Sequence, residues 1–189
     1  MPIMSPLPEF ADSSLAQLAD WADADHLPDV ENWHPANVGV IDIRIAADGR
    51  WFHEGGEIRR PAMVRLFSRI LRREADGSFV LVTPAERLTI AVEDAPFLAV
   101  ELKQEGQGEA ATLAVRLNIG EIVVIGPDHP LVLRTGPAGL LPYVHVRGPM
   151  DRPFLARPTR ALYHELAMLA DAKAMVFSGG AGFQVGEVA

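Results

Sequence analysis

Period-two alternation constrains this chain more than any other feature. In "VIDIRI", Ile41, Ile43 and Ile45 alternate with Asp42 and Arg44, so one face of a strand is apolar and the other polar. The same beat returns in "RLTIAVED", with Leu88, Ile90 and Val92 against Arg87, Thr89 and Glu93, and in "TLAVRLNI", with Leu113, Val115, Leu117 and Ile119 on one side. Short runs such as "FVLVT", "FLAVEL", "EIVVI", "LVLR" and "YVHVR" continue the series, divided by turn chemistry in "TPAE", "EGQGE", "NIGE" and "GPDHP". One-sided alternation belongs to antiparallel sheet with a solvated face, not to a buried parallel sheet.

Three stretches read as helix instead. "DSSLAQLADWADAD" has a capping box, Ser14 with Gln17, and a stripe of Leu15, Leu18, Ala19 and Ala22. "PAMVRLFSRILRRE" opens on Pro61, which suits a first helical position, and repeats Met63, Leu66, Phe67, Ile70 and Leu71 at helical spacing until Asp76-Gly77. "PTRALYHELAMLADAKA" starts behind Pro158 with Thr159 as cap and is expected to bury Leu162, Leu166 and Leu169. About ten strands and three helices without βαβ alternation make an α+β protein, mainly antiparallel. Residues 1–11 read as an arm, and the tail "SGGAGFQVGEVA" as flexible and too rich in glycine to be helical.

Composition removes whole classes of chemistry. The 189 residues include no cysteine, which excludes disulfides, thiolate nucleophiles and cysteine-held metals. A chain of this length builds a core without such staples. The start "MPIMSPLPEF" lacks the basic and apolar regions of a signal peptide, and no run reaches the roughly 20 apolar residues that span a bilayer. A cytoplasmic protein without a membrane partner is the expectation. The net charge of −8 argues against nucleic acid as a partner.

Three groups of polar residues are candidates for function. The first is "WFHEGGE". Asp48-Gly49 before it suits a type I′ turn, and residues 51 to 54 then form the return strand. That period sets Trp51 and His53 on one face and Phe52 and Glu54 on the other, so His53 and Glu54 do not share a metal. Acid/base chemistry by His53 with Glu54 or Glu57 stays open. The second group is basic: Arg59, Arg60, Arg65, Arg69, Arg72 and Arg73. Arg65, Arg69 and Arg72 fall on the polar stripe of the expected helix, where solvated arginine is the plain explanation. Arg59 and Arg60 precede its N-terminus, where backbone N–H groups favour an anion. The third is "PYVHVRG", in which Tyr143, His145 and Arg147 share a strand face and Val144 and Val146 take the core face. Such a row suits a polar ligand, and equally any solvated sheet.

Other motifs fail on context. "GQGEAA" leads into a strand instead of a helix, "SGGAG" has no P-loop lysine, and no nucleophile elbow exists. His164 and Glu165 are adjacent on a helix and point about 100° apart. His34 and His129 each precede proline, and turn positions explain both. "HPANVGV" and "HPLVLR" echo one another, each leading into strands and a Pro-opened helix. On the residues alone, coincidence explains a repeated dipeptide better than duplication does. The polar break "KQEGQGE" is the expected boundary, giving units 1–104 and 105–189.

The ordered set "DGRWFHEGGEIRRPAMVRLFSRIL", "LVTPAE", "VEDAPF", Gly120-Glu121, "HPL" and "PYVHVR" resembles the bacterial domain-of-unknown-function family 1285 (DUF1285). The resemblance runs from about His34 to the last helix. It implies two similar small α+β units in tandem, with barrel- or sandwich-like sheets. It implies no catalytic residues, because the family has no established activity. Its motif positions here are Trp51, His53, Glu54, Arg60, Thr83, Glu86, Asp94, His129, Tyr143 and Arg147.

The reading that follows is a ligand- or partner-binding module, of the kind used in signalling. It takes a small anionic molecule or an acidic protein segment at Trp51, His53, Arg59, Arg60, Tyr143, His145 and Arg147. No cofactor or metal is expected. The alternative is a hydrolase-like acid/base enzyme using His53 and a nearby carboxylate. A third reading is a homo-oligomer that pairs strand edges.

Overall fold

The computed structural model describes residues 27–187. They form two compact units, one of the described residues up to Arg44 with Trp51–Ala91, the other of Ile45–Arg50 with everything from Val92 onward. The helix expected over residues 12–25 lies outside the described residues, which hold fourteen strands and two α-helices.

In the first unit, β1 (Asn37–Ile45), β2 (Trp51–His53) and β3 (Gly56–Glu57) precede helix α1 (Pro61–Arg69). β4 (Leu71–Arg73), β5 (Phe79–Val82) and β6 (Glu86–Val92) follow it. The sheet order is β3-β2-β1-β6-β5-β4. β1 keeps its period, with Ile43 and Ile45 buried and Val40 and Asp42 exposed. α1 lays Leu66 and Phe67 inward, and Phe67 stacks on the buried Trp51 ring at 6.0 Å. Stacking of this kind adds to the area both rings remove from water.

α1 ends sooner than its apolar spacing suggests. Leu71–Arg73 is a strand that pairs with Phe79–Val82, and Asp76-Gly77 is the turn between them, not a helix stop. Asp76 Oδ1 accepts from the Ser78 amide at 2.9 Å and its hydroxyl at 2.6 Å, which closes that turn. The arginine stripe is therefore broken: Arg72 is a buried strand residue, whereas Arg65 and Arg69 stay on the helix. The type I′ tip also sits elsewhere. Asp48 does not take positive φ; the pair that does is Glu54 (φ 49) and Gly55 (φ 78), joining β2 to β3. Residues 46–50 form a wider turn, closed by Ala46 N–H to Arg50 O at 2.8 Å.

In the second unit, β7 (Phe97–Glu105), β8 (Thr112–Leu117), β9 (Ile122–Val124), β10 (Leu131–Gly136), β11 (Gly139–Arg147) and β12 (Phe154–Pro158) make a sheet of order β10-β11-β12-β7-β8-β9. β7 and β12 are parallel, with Ala156 opposite Phe97; the meanders on either side are antiparallel. Counted from each unit's first strand, the two orders are the same: the first strand of the leading meander lies beside the last strand of the trailing one. The repeat is thus one of strand order. The helices do not share it, because α1 divides the meanders of its unit whereas α2 (Arg160–Leu169) follows β12.

"KQEGQGE", the expected boundary, turns out to be the tip of the β7–β8 hairpin, with Glu105 opposite Thr112. Thr159 caps α2 by accepting from the Leu162 amide at 3.3 Å, and Leu162 and Leu166 are fully buried. Leu169, expected inside, is exposed at the last helical position. The tail is not loose. β13 (Met175–Ser178) and β14 (Ala181–Gln184) form a hairpin whose tip, Gly179-Gly180, takes positive φ at both residues. Phe183 and Val185 are buried, and the hairpin packs against both β8 and β10. Ser178 pins it: its hydroxyl donates to Ile125 O at 2.6 Å and accepts from the Leu113 amide at 2.7 Å.

Candidate functional site

A polar cluster of the second unit surrounds Asp94, a carboxylate with no exposed side-chain surface. Sequence explains its position. Asp94 stands before Ala95, Pro96 and Phe97, all buried, and the entry of that apolar run into β7 carries the acid inside with it. A buried carboxylate needs partners. Tyr143 on β11 supplies one, its hydroxyl 2.8 Å from both carboxylate oxygens. Gly136 on the neighbouring β10 leaves the space: a Cβ there would overlap the Tyr143 hydroxyl.

Two arginines flank the pair without closing on it. Arg134, on β10, places Nη2 3.7 Å from Asp94 Oδ1 and 3.4 Å from the Asp94 carbonyl oxygen, with its guanidinium 5.1 Å from the Tyr143 ring centroid. Arg157, on β12, holds Nε 3.7 Å from Asp94 Oδ2, and that Nε is buried without a hydrogen-bond partner. Arg134 is 40% exposed and Arg157 19%. Burial, then the Asp94 carboxylate, pushes the Tyr143 hydroxyl up to about 12. At neutral pH it is therefore a donor and not a base. The arrangement presents guanidinium N–H groups in a partly desolvated place, which suits an oxyanion.

β11 is covered on both faces, contrary to the solvated row expected of Tyr143, His145 and Arg147. Tyr143, Val144, His145 and Val146 are all buried. His145 Nε2 lies 2.8 Å from Gly148 O, so it carries the proton, and Nδ1 is buried without a hydrogen-bond partner. The His129 ring lies 5.9 Å away, its Nδ1 3.1 Å from His145 O. Arg147 spreads over Phe97 and Phe154, at 5.4 and 4.9 Å from the ring centroids. Tyr143 joins the Asp94 cluster; the other two are tied to backbone and aromatic rings.

The remaining expected site residues lie in the first unit. Trp51 is 1% exposed, a core residue whose Nε1 lacks a hydrogen-bond partner. His53 is exposed at the end of β2, opposite Gly56, and Glu54 sits in the turn beyond it. Arg59 is 84% exposed and pairs with Glu57 at 3.5 Å. Arg60, exposed, is the N-cap of α1 and uses its carbonyl, not its side chain, to accept from Met63 and Val64. Among the described residues no group of three or more His, Asp or Glu side chains could hold a metal ion. Sequence reasoning passed over Arg134 and Arg157 and took Asp94 only as a motif position. The signal was there in "EDAPF", "LVLR" and "FLAR", each a charge inside an apolar run.

Both halves of the described chain match sequence families. The DUF1285 N-terminal domain, a domain of unknown function, covers residues 28–95, and the DUF1285 C-terminal domain, of a protein of unknown function, covers residues 96–185. The chain belongs to the DUF1285 family. A crystal structure of a DUF1285 family protein from Silicibacter pomeroyi DSS-3 is 38% identical in sequence, with 93% of this chain and 96% of that one covered and a TM-score of 0.81. Another, of a DUF1285 family protein from Shewanella baltica OS155, is 25% identical over 70% of this chain and 94% of that one, with a TM-score of 0.53. No curated protein matches the chain. The two matched DUF1285 domains meet between residues 95 and 96, one residue past Asp94. No helix among the described residues is long and apolar enough to cross a membrane.

Proposed function

We propose that this DUF1285 protein is a binding module for a small anionic ligand or an acidic protein segment, with the second unit's Arg134 and Arg157 as its anchors and signalling as its setting. One observation carries the reading: Arg157 Nε–H is a buried donor without an acceptor, beside a second, half-exposed guanidinium. Leaving such a group unsatisfied costs about 1–3 kcal/mol, a penalty that a bound oxyanion removes. Tyr143 supports the reading as a fixed hydrogen-bond donor that keeps Asp94 from swinging onto either arginine. We also infer that the second sheet curls in a barrel-like way, because one hairpin, β13–β14, packs against strands of both its halves. The acid/base alternative would rest on His53, an exposed residue at the end of β2 opposite Gly56.

A thermal-shift series with nucleotides, phosphosugars and carboxylates at constant ionic strength tests the proposal. At least one anion class should raise the melting temperature of the wild-type chain and not that of Arg134→Gln. If no anion stabilises the protein, or if the variant responds equally, the anchors are wrongly placed.

A further inference from the structure

This inference rests on the anion-site reading and narrows its ligand: we propose that the head group is a singly charged carboxylate, and that Asp94 is the residue that sets this preference. The argument begins with charge. Arg134 and Arg157 bring two positive charges to one carboxylate, leaving a single positive charge for a ligand to neutralise. Asp48 also attracts Arg157, but its own partner is Arg50 Nε at 2.7 Å, so that pair leaves the balance as it is. A monoanion completes the cluster. A dianion adds a surplus negative charge beside a carboxylate without solvent exposure, where such charge is poorly screened.

Hydrogen bonding points the same way. The Tyr143 hydroxyl shares its one proton between both Asp94 oxygens, 2.8 Å from each, which holds the carboxylate still, while each arginine nitrogen facing the carboxylate stops at 3.7 Å. Arg157 Nε is thus held near an acceptor that does not take it up, while Arg134 Nη2 reaches only the Asp94 carbonyl oxygen, at 3.4 Å. The guanidinium fork accepts a carboxylate in two parallel hydrogen bonds, as it does a phosphate, so charge and not shape sets the preference. Arg134, 40% exposed on β10, is the approach side. Asp94 then acts as a built-in competitor: it lets a monoanion in and repels a second charge.

The test measures binding of acetate, butyrate and benzoate against sulfate to the full chain, by thermal shift and calorimetry at matched ionic strength. Sulfate is the dianionic probe. Wild type should bind at least one carboxylate about tenfold more tightly than sulfate, a difference of about 1.4 kcal/mol. Asp94→Asn raises the site's charge by one and should reverse that order. Arg134→Gln, a partly exposed substitution that leaves the fold intact, should weaken carboxylate binding about tenfold or more. Sulfate binding as tightly as every carboxylate to wild type overturns the inference while leaving an anion site standing. If no anion binds, the anion-site reading fails and this inference with it. Should Asp94→Asn not fold, Arg134→Gln decides: unchanged carboxylate affinity in that variant overturns the proposal.

Discussion

Each unit sets arginine beside a carboxylate, and the two solutions differ. In the first unit Arg72 is buried and tied by three short hydrogen bonds. Its Nε lies 2.7 Å from Glu74 Oε1, and its Nη1 donates to the carbonyl oxygens of Val30 and Trp33 at 2.8 Å each. Glu74 also meets Arg87 at 3.3 Å. That arginine ties the segment before β1 to strand β4. In the second unit, Arg134 and Arg157 stand 3.7 Å from Asp94, and the short bonds to Asp94 belong to a tyrosine. A buried charge tied by short hydrogen bonds is a structural brace. One whose neighbour Arg157 keeps a donor idle is poised for something else.

The comparison can be broken by substitution. The largest effect is expected at Arg72→Ala, which leaves Glu74 and two carbonyl oxygens short of a donor and should cost about 3–5 kcal/mol in chemical denaturation. A loss under about 1 kcal/mol would mean the brace is ornamental. Next comes Gly136→Ala, which forces a methyl group against the Tyr143 hydroxyl and should cost about 1–3 kcal/mol, read from the denaturation midpoint.

The third effect is a pH dependence. Tyr143 has its hydroxyl raised to about 12 when folded, against 10.0 for the free group. The folded state therefore holds the proton longer than the unfolded one, so its contribution is whole below pH 10 and fades as pH climbs from 10 towards 12. Tyr143→Phe should flatten that part of the base-denaturation curve; an unchanged slope would place the effect on other groups. The smallest effect is expected at Arg134→Gln, within about 0.5 kcal/mol of wild type in unfolding, as for most exposed positions. A large loss there would make Arg134 a second Arg72 and remove the contrast.

Much of the architecture was legible because period two survives wherever one sheet face is solvated. Leu113, Val115 and Leu117 are buried while Thr112 and Arg116 are exposed, as their spacing dictates. The errors came where tertiary pairing overrode local spacing. Leu71 continues the helical stripe of α1, yet β5 claims it as a strand partner opposite Leu81. Glu54 is a poor sequence signal for positive φ, since the left-handed region costs a side-chain residue about 1–2 kcal/mol, and the short β2–β3 pairing imposes it. The glycines of the tail read as looseness but serve a tight hairpin tip. For the site, Tyr143 was legible as a polar group on a strand. Its buried partner was not, because Asp94 lies forty or more residues along the chain from Arg134, Tyr143 and Arg157 and meets them only in the folded sheet.

The shared strand order has a consequence for how each unit comes into being. Hairpins such as β10–β11 and β7–β8 join neighbours along the chain and close at small entropic cost. The seam that unites the two meanders does not, because Ala156 must find Phe97 across nearly sixty residues. The middle of the second sheet therefore carries the largest closure cost of its pairings. A chain leaving the ribosome can hold finished hairpins for some time, yet it has no complete sheet until β12 has emerged, and Arg157 with it.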